Sequence, residues 1–586
     1  MTATGTGARA AAARPRAWQR PGRPPVWLGI SLLATLSLLV VLPLARLVLA
    51  TFSQGTSVWE QVLAGEIAEN LLWRPLGASL VVGLATAVLA TALGATLAGL
   101  VVLTDLPGRR VIGMLATLPF IIPSFAIALA WDVVFRNERI GGHVGLVHGL
   151  GVPVPDWLAW GIVPVTAVLV IHYSSLAFGL VAAALASVNA DLLEAAEVAG
   201  AGRARVLRGI AFPLAIPALS AAALLVFAEA VSNFAVPALL GLPVRFHTLS
   251  TRLVGAIETG QTERGFALSV ILIAVAAVLL WAGTRATSRR TFATIGGRGE
   301  RRKRLLLGGW RWPAFVLALA AGIVTTVVPG AALLLGSLYE RPGSLDRGLT
   351  WHYWIGAADA AIAQGQPGIL RSDQFASASL TTVALGLAVA AAASVLGLLI
   401  GYLVSRDAGS RLATLVGQLS LMPIIIPGIA LGAAFIALFA RPLGPVPALY
   451  GTFGLLVIAG AAATLPFAAQ SGRAAATQVA TELEEAATVA GARFPRRLGA
   501  IFLPLVSRGL VAGAVLVFVK MVRDLGLVIL LVVPTTPLLS VVAFRYASEN
   551  FVQFANAVTV VIVLVSIAAT LVAQRVQRAA QPWSAR

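Results

Sequence analysis

An all-α polytopic membrane protein, with about 12 transmembrane helices arranged as two parallel six-helix repeats, is the fold class this 586-residue sequence predicts. Three observations carry the prediction. Hydrophobic residues make up 58% of the chain and charged residues 11%, where a water-soluble domain carries roughly a quarter of charged residues, and the mean hydropathy is +0.90. Apolar runs of about 20 residues, the length a helix needs to cross hydrocarbon, recur along the whole chain. One polar phrase is written twice, 291 residues apart: Glu194-Ala195-Ala196, Gly200 and Ile210-Ala211-Phe212-Pro213 return as Glu485-Ala486-Ala487, Gly491 and Ile501-Phe502-Leu503-Pro504, with every spacing kept.

The basic segment 1–26 comes first, with Arg9, Arg14, Arg16, Arg20 and Arg23. The apolar run behind it, 27–50, is too long for the core of a cleaved leader and lacks a clear small-x-small cleavage site. It reads as an uncleaved first span with a cytoplasmic N-terminus. Further spans fall near 77–103, 111–135, 160–187, 213–240 and 266–284, completing a first unit over 27–285. Residues 286–312, with Arg289-Arg290, Gly296-Gly297 and Arg301-Arg302-Lys303-Arg304, have no apolar periodicity. They read as a basic cytoplasmic linker lying on anionic headgroups. The second unit, 313–575, repeats the spans near 313–338, 378–404, 411–439, 450–475, 505–533 and 555–574, and leaves a cytoplasmic tail at 576–586. With this count Arg109, Arg110, Arg203, Arg205, Arg208, Arg285, Arg406, Arg411, Arg493, Arg496 and Arg497 all fall on the cytoplasmic side, where the positive-inside rule puts them. The net charge of +19 therefore reports topology, and no basic stripe with interleaved aromatics points to nucleic acid. The lack of any cysteine excludes disulfides, thiolate metal sites and cysteine nucleophiles.

Self-similarity goes beyond the doubled phrase. Pro119-Phe120-Ile121-Ile122-Pro123 in the third span is echoed by Pro423-Ile424-Ile425-Ile426-Pro427 in the ninth, and Ala78-Ser79-Leu80 by Ala378-Ser379-Leu380. Six spans return a chain to its starting side, so the two units run in parallel. The doubled phrase lies in cytoplasmic loops at 188–212 and 479–503. Leu192, Ala195, Ala196 and Ala199, like Leu483, Ala486, Ala487 and Ala490, recur at helical spacing, which predicts a short helix with a small-residue face in each loop. Asp191 or Thr481 would cap its start, with Glu194 or Glu484 as the capping-box partner. Gly200 and Gly491 would end it in left-handed backbone, and Pro213 and Pro504 would open the next span. A face of Leu and Ala without Trp or Phe, beginning in acidic residues, suits a protein groove better than a lipid surface.

The pattern Glu-Ala-Ala, three residues, Gly, nine residues, Ile, one residue, Leu-Pro resembles the cytoplasmic coupling motif of membrane permease subunits of bacterial binding-protein-dependent ABC importers. The second copy fits throughout, and the first differs only in having Phe212 where Leu is usual. The resemblance covers the chain as two fused permease units and implies the type I ABC importer permease fold. It implies that Glu194, Ala195, Ala196 and Gly200, with Glu485, Ala486, Ala487 and Gly491, couple to two copies of an ATP-binding cassette subunit, which would carry the ATP and Mg. It also implies an extracytoplasmic substrate-binding protein, contact with membrane lipid, and a multi-pass place in the bacterial inner membrane with both termini cytoplasmic. Fusion of the two units, together with the stretch from Val226 to Pro237, is most similar to the ferric iron importers, although Asn233 and Ala235 stand where Asp and Gly are usual. Thiamine, 2-aminoethylphosphonate and polyamine importers are the alternatives.

No Gly-rich phosphate loop ending in Gly-Lys-Ser/Thr occurs, so the chain is expected to be a transport subunit with no catalytic residue and no cofactor of its own. No His, Asp or Glu cluster has metal-ligand spacing, and His143, His148, His172, His247 and His352 are scattered. His172, in the fourth span, reads as bonded to a neighbouring helix or as a substrate contact. Charged residues inside spans usually face a cavity. Glu229 corresponds through the 291-residue offset to Lys520, and Asn233 to Asp524, and these four are the candidate pathway or gate. Glu229 and Lys520 are expected to face each other across the pseudo-two-fold axis; the competing reading pairs Lys520 with Asp524 at i,i+4. External loops at 240–265, 345–375 and 534–551 carry mixed charges that a binding protein would meet. A twelve-helix secondary transporter is the rival reading, and it leaves both cytoplasmic helices unexplained. An alkaline phosphatase reporter, active only outside the cytoplasm, is expected to work when fused after Gly260 and to be silent after Arg586. Activity at the C-terminal fusion would overturn the even span count.

Overall fold

The computed structural model describes residues 23–53, 55–187, 196, 199, 202, 205, 207–287, 305–343, 348–359 and 362–580. Among the described residues, helices are joined by turns, with three isolated bridges and no β-strand. The first half contains α1 (Val26–Ala50), α2 (Glu69–Leu103), α3 (Arg109–Phe120), α4 (Ser124–Phe135), α5 (Asp156–Ala186), α6 (Gly209–Ser232), α7 (Leu249–Glu258) and α8 (Thr262–Thr287). The second contains α9 (Gly308–Gly336), α10 (Asp373–Arg406), α11 (Arg411–Ile424), α12 (Gly428–Phe439), α13 (Phe453–Thr477), α14 (Thr481–Val489), α15 (Phe494–Arg523), α16 (Leu539–Ser548) and α17 (Val552–Ala580). Ten of these helices are long and apolar enough to cross a bilayer, and counting each of the bent pairs α3–α4 and α11–α12 as one broken span brings the number up to 12.

Those two pairs are not the straight spans expected at 111–135 and 411–439. They bend by 99° and 109°. Proline has no N–H to continue a helix and drives the residue before it out of helical backbone; Pro123 and Pro427 sit at the bends in extended conformation and cap the helices that follow. The runs expected at 213–240 and 505–533 also end early, at Ser232 and Arg523. The stretches expected to be external loops at 240–265 and 534–551 contain α7 and α16, whose Leu249, Leu253, Leu539 and Ala543 are buried in the protein.

Proline also explains where the helices widen. π-turns at Ser37–Val41, Glu69–Trp73, Leu207–Ala211, Ile323–Val327 and Arg497–Phe502 each stand two residues ahead of a proline, Pro43, Pro75, Pro213, Pro329 and Pro504. A proline ring collides with the carbonyl four residues back, and one extra residue in the turn moves that carbonyl away. Pro213 and Pro504 therefore lie within α6 and α15 and do not open them, contrary to the sequence expectation.

Each half is built on three helices in mutual contact, α2, α5 and α6 in the first and α10, α13 and α15 in the second. Their axes approach closely because small residues face each other. A Cβ at Gly94 would strike the backbone of Ser174 and Phe178; one at Gly472 would strike the carbonyl of Gly397. Gly83 meets Phe227 and Val231, as Gly386 meets Phe518 and Val522. This pairing sets the true repeat register of α2 and α10 at 303 residues. Ser79 consequently matches Thr382, not Ser379: the Ser79 hydroxyl accepts the Leu249 N–H at 2.8 Å and the Thr382 hydroxyl accepts the Leu539 N–H at 2.9 Å.

The halves exchange their first helices. α1 packs on α11 and α12, and α9 packs on α3 and α4, where the Thr326 hydroxyl donates to the Leu115 carbonyl at 2.8 Å. α8 reaches α12 and α17 reaches α4. Most of the linker lies outside the described residues, but its exit is fixed. Leu305 bridges to Thr104, the Leu307 N–H donates to Asp105 Oδ1 at 2.8 Å, and α9 begins at Gly308, earlier than expected. Gly472→Val is expected to force α10 and α13 apart at a cost of about 1–3 kcal/mol, read as a lower unfolding temperature in detergent; an unchanged midpoint would refute the close approach.

Candidate functional site

The ends of α6 and α15 carry the same cap. Asn233 Oδ1 accepts the Val236 N–H at 3.1 Å, and Asp524 Oδ1 accepts the Leu527 N–H at 2.8 Å. The carbonyls of both residues accept a hydroxyl proton, from Ser250 and Ser540, each at 2.8 Å. One side-chain oxygen is all this cap requires, so an amide replaces a carboxylate without altering the backbone. The amide adds donors: Asn233 Nδ2 donates to Ser124 Oγ at 3.0 Å and to the Tyr173 hydroxyl at 3.2 Å, and that hydroxyl donates to the Glu229 carbonyl at 3.1 Å.

Between these two helix ends and the two bends lies a cavity of about 210 Å³. Glu229, Asn233, Lys520 and Asp524, from sites far apart in sequence, all border it. Glu229 and Lys520, expected to face each other across the pseudo-two-fold axis, border this cavity without an ion pair within 4 Å among the described residues, and Lys520 makes none with Asp524. The Lys520 ammonium instead lies 4.4 Å from the centre of the Phe467 ring, a cation–π contact. His172 borders the cavity with its ring facing Phe120 at 6.2 Å. Arg523, which sequence reasoning did not single out, reaches from α15 across to the first half, its guanidinium 4.4 Å from the Phe120 ring centre. An arginine at the end of an apolar run gives a sequence signal; its direction depends on a bend in another helix. Tyr173 and Phe120 gave none, being aromatic residues in apolar runs.

Away from the cavity, α14 holds the second copy of the doubled phrase. Its N-cap is Ala480 without a side-chain hydrogen bond, so the expected Thr481–Glu484 capping box does not form. Glu484 turns inward instead and is 1% exposed. It accepts the Tyr402 hydroxyl at 2.7 Å and Arg406 Nε at 2.7 Å, while Arg406 Nη2 donates to the Val479 carbonyl at 2.8 Å. Phe494 and Phe502 pack on Tyr402, and buried Arg497 donates to the Thr488 hydroxyl. The helix ends as expected at Gly491, with φ of +83°. The Gly491 N–H bonds the Thr488 carbonyl and the Ala492 N–H the Ala487 carbonyl, the paired pattern that a left-handed glycine permits. The opposite side is open: Glu485 and Ala486 are exposed, Leu483 is 51% exposed and Val489 82%. In the first copy Ala196 is helical and half-buried, and Glu194, Ala195 and Gly200 lie outside the described residues.

Removing one member of a buried ion pair strands the other charge, at a cost of about 3–5 kcal/mol, whereas replacing both by apolar groups is often neutral. Glu484→Ala is therefore expected to destabilise the chain strongly and Glu484→Leu with Arg406→Met far less, both measured by thermal unfolding. Equal losses in the two variants would contradict the buried pair.

The sequence profile of the family described as binding-protein-dependent transport system inner membrane component matches residues 90–291 and again 393–585. A Haemophilus influenzae protein named "Putative ferric transport system permease protein FbpB 1" is 24% identical over 517 residues, covering 85% of this chain and 76% of that one. The ferric transport system permease protein FbpB of Actinobacillus pleuropneumoniae is 22% identical over 514 residues, covering 86% and 72%. The trehalose transport system permease protein SugB of Mycobacterium tuberculosis is 32% identical over 160 residues, 27% of this chain and 56% of its own. Two tandem matches that together take in more than half of the sequence, on a fold that repeats itself helix for helix, give the assignment: the chain belongs to the family of binding-protein-dependent transport system inner membrane components.

Proposed function

We propose that this chain forms the translocation pathway of an ATP-driven importer in the bacterial inner membrane, with both termini cytoplasmic, and that ferric iron is its cargo. Two permease units, 27–285 and 313–575, flank the linker 286–312, with cytoplasmic ends at 1–26 and 576–586. Coupling loops 188–212 and 479–503 each receive one copy of an ATP-binding subunit, which carries ATP and Mg. Glu194, Ala195, Ala196 and Gly200 in one loop, and Glu485, Ala486, Ala487 and Gly491 in the other, meet that subunit. An extracytoplasmic binding protein delivers the cargo to the opposite face, and Glu229, Asn233, Lys520 and Asp524 line its way through.

The observation that carries this reading is α14. A helix anchored from beneath by Glu484, Tyr402 and Arg406 leaves Leu483, Ala486 and Val489 exposed. Apolar groups on a stiff support gain free energy when a partner covers them, roughly 25 cal/mol per Å². The anchor then passes any displacement of the partner to α10 through Tyr402 and Arg406. The names of the relatives that cover most of the chain support ferric iron. Proteoliposomes holding this chain with its ATPase and binding protein are expected to hydrolyse ATP faster when the binding protein carries ferric iron. Glu485→Ala, at an exposed position, is expected to cut that stimulation at least about tenfold, ~1.4 kcal/mol of coupling. Stimulation by thiamine or 2-aminoethylphosphonate in place of iron would reassign the cargo, and uptake that follows a proton gradient without ATP would defeat the importer reading.

A further inference from the structure

We propose that the central cavity grips its cargo through an oxyanion, held by Arg523 with Lys520 beside it, so that ferric iron crosses this chain as an oxyanion complex and not as a bare cation. The clause on iron rests on the ferric reading above; the oxyanion site does not.

Arg523 is a cation in the cavity wall with capacity to spare: the residue is half-buried there, and its Nη1, closed to solvent, has no hydrogen-bond partner. Its guanidinium carbon lies 4.4 Å from the centre of the Phe120 ring, and the planar fork of an arginine is the group that binds carboxylate or phosphate through two parallel N–H bonds. Asp524 Oδ1 caps the Leu527 N–H, and neither Asp524 nor Glu229 comes within 4 Å of the guanidinium, so both carboxylates act on Arg523 only from a distance. Lys520 stands one turn earlier on α15 and borders the same cavity, and it too makes no ion pair within 4 Å among the described residues. Two cations without an ion-pair partner within 4 Å, both supplied by the second half, thus border the same cavity.

A bare trivalent cation is poorly matched to that space. Arg523 and Lys520 repel it, and a hard cation giving up its water needs several oxygen ligands in return. Among the described residues no three His, Asp or Glu side chains come close enough to hold a metal ion. An iron centre already carrying a small oxyanion avoids both difficulties. Its outer oxygens meet Arg523 and Lys520, and Glu229, on the first half's side of the cavity, is left to face the remaining positive charge. The site is a cradle for the complex and makes no bond to the metal.

The test uses proteoliposomes of the full assembly, supplied with radioiron together with radiolabelled citrate or, separately, labelled phosphate. Iron and one of these anions are expected to enter in a fixed ratio. Arg523→Gln is expected to lower entry of both at least tenfold, and Arg523→Lys, which keeps the charge and loses the fork, to fall between. Retained assembly with the ATPase on size-exclusion chromatography controls for folding, and co-entry in the unsubstituted assembly decides the matter without any variant. Iron entering with no labelled anion, or undiminished entry in assembled Arg523→Gln, overturns the proposal and leaves the ferric reading standing. Arg523-dependent entry of an anion without iron removes the ferric reading and keeps the oxyanion site. Entry of neither removes both.

Discussion

Hydrocarbon offers no hydrogen-bond partner to an interrupted helix, so a chain that breaks its spans inside a membrane must satisfy the freed groups itself. Here the breaks at Pro123 and Pro427 and the early ends of α6 and α15 all fall around one small volume, where such partners exist. Ser250 and Ser540 supply hydroxyls to two stranded carbonyls, and Asn233 and Asp524 supply oxygens to two stranded N–H groups. Non-helical backbone at this depth persists only where it lines a cavity or is buried in protein. The cavity is thus a direct consequence of where the helices stop, and the exchange of α1 and α9 between halves covers the bends from the lipid side.

Fusion of the two repeats gives this architecture a freedom that two identical subunits lack. Equivalent positions hold different chemistry: Glu229 against Lys520, Ser232 against Arg523, His172 against Ala463, Tyr173 against Thr464. A symmetric dimer would place two carboxylates or two ammonium groups across the axis, while the fused chain collects its cations on one side. The same freedom shows around α14. The Glu484–Tyr402–Arg406 anchor has Leu193, Gly99 and Leu103 at the corresponding sequence positions of the first half, residue types that cannot make the same ion pair. The two copies of the phrase are thus accompanied by different chemistry.

Buried polar groups do the specifying in both places. At the anchor, Arg406 is held by one carboxylate and one backbone carbonyl, and Tyr402 is wedged between two phenylalanine rings. An alternative seat for α14 would leave these groups unpaired, a penalty larger than any local helix preference. In the cavity, the chain from Ser124 through Asn233 and Tyr173 to the Glu229 carbonyl ties the bend of one span to the end of α6 and the middle of α5. Phe120 and Arg523 link the two halves there through a ring and a charge.

The sequence by itself determined the class, the number of spans, the doubling and the helix that ends at Gly491, because hydropathy, charge asymmetry and the need for a left-handed glycine are local properties. It also brought Glu229, Asn233, Lys520 and Asp524 forward as a set, since charge and amide groups inside apolar runs stand out without any coordinates. The tertiary structure alone decided the rest. The bends at Pro123 and Pro427 could have been read as modest kinks, and a 99° turn is chosen by what packs around it. The register of α2 against α10 follows from Gly83 and Gly386 meeting the same neighbours, a steric match that the Ala-Ser-Leu echo missed by three residues. Glu484 left its local capping role because Tyr402 and Arg406, some 80 residues earlier, offered a buried pair of donors. Lys520 and Arg523 found ring faces in place of carboxylates for the same reason: a long side chain goes to the partner that three-dimensional packing brings within reach, and sequence separation does not record that distance.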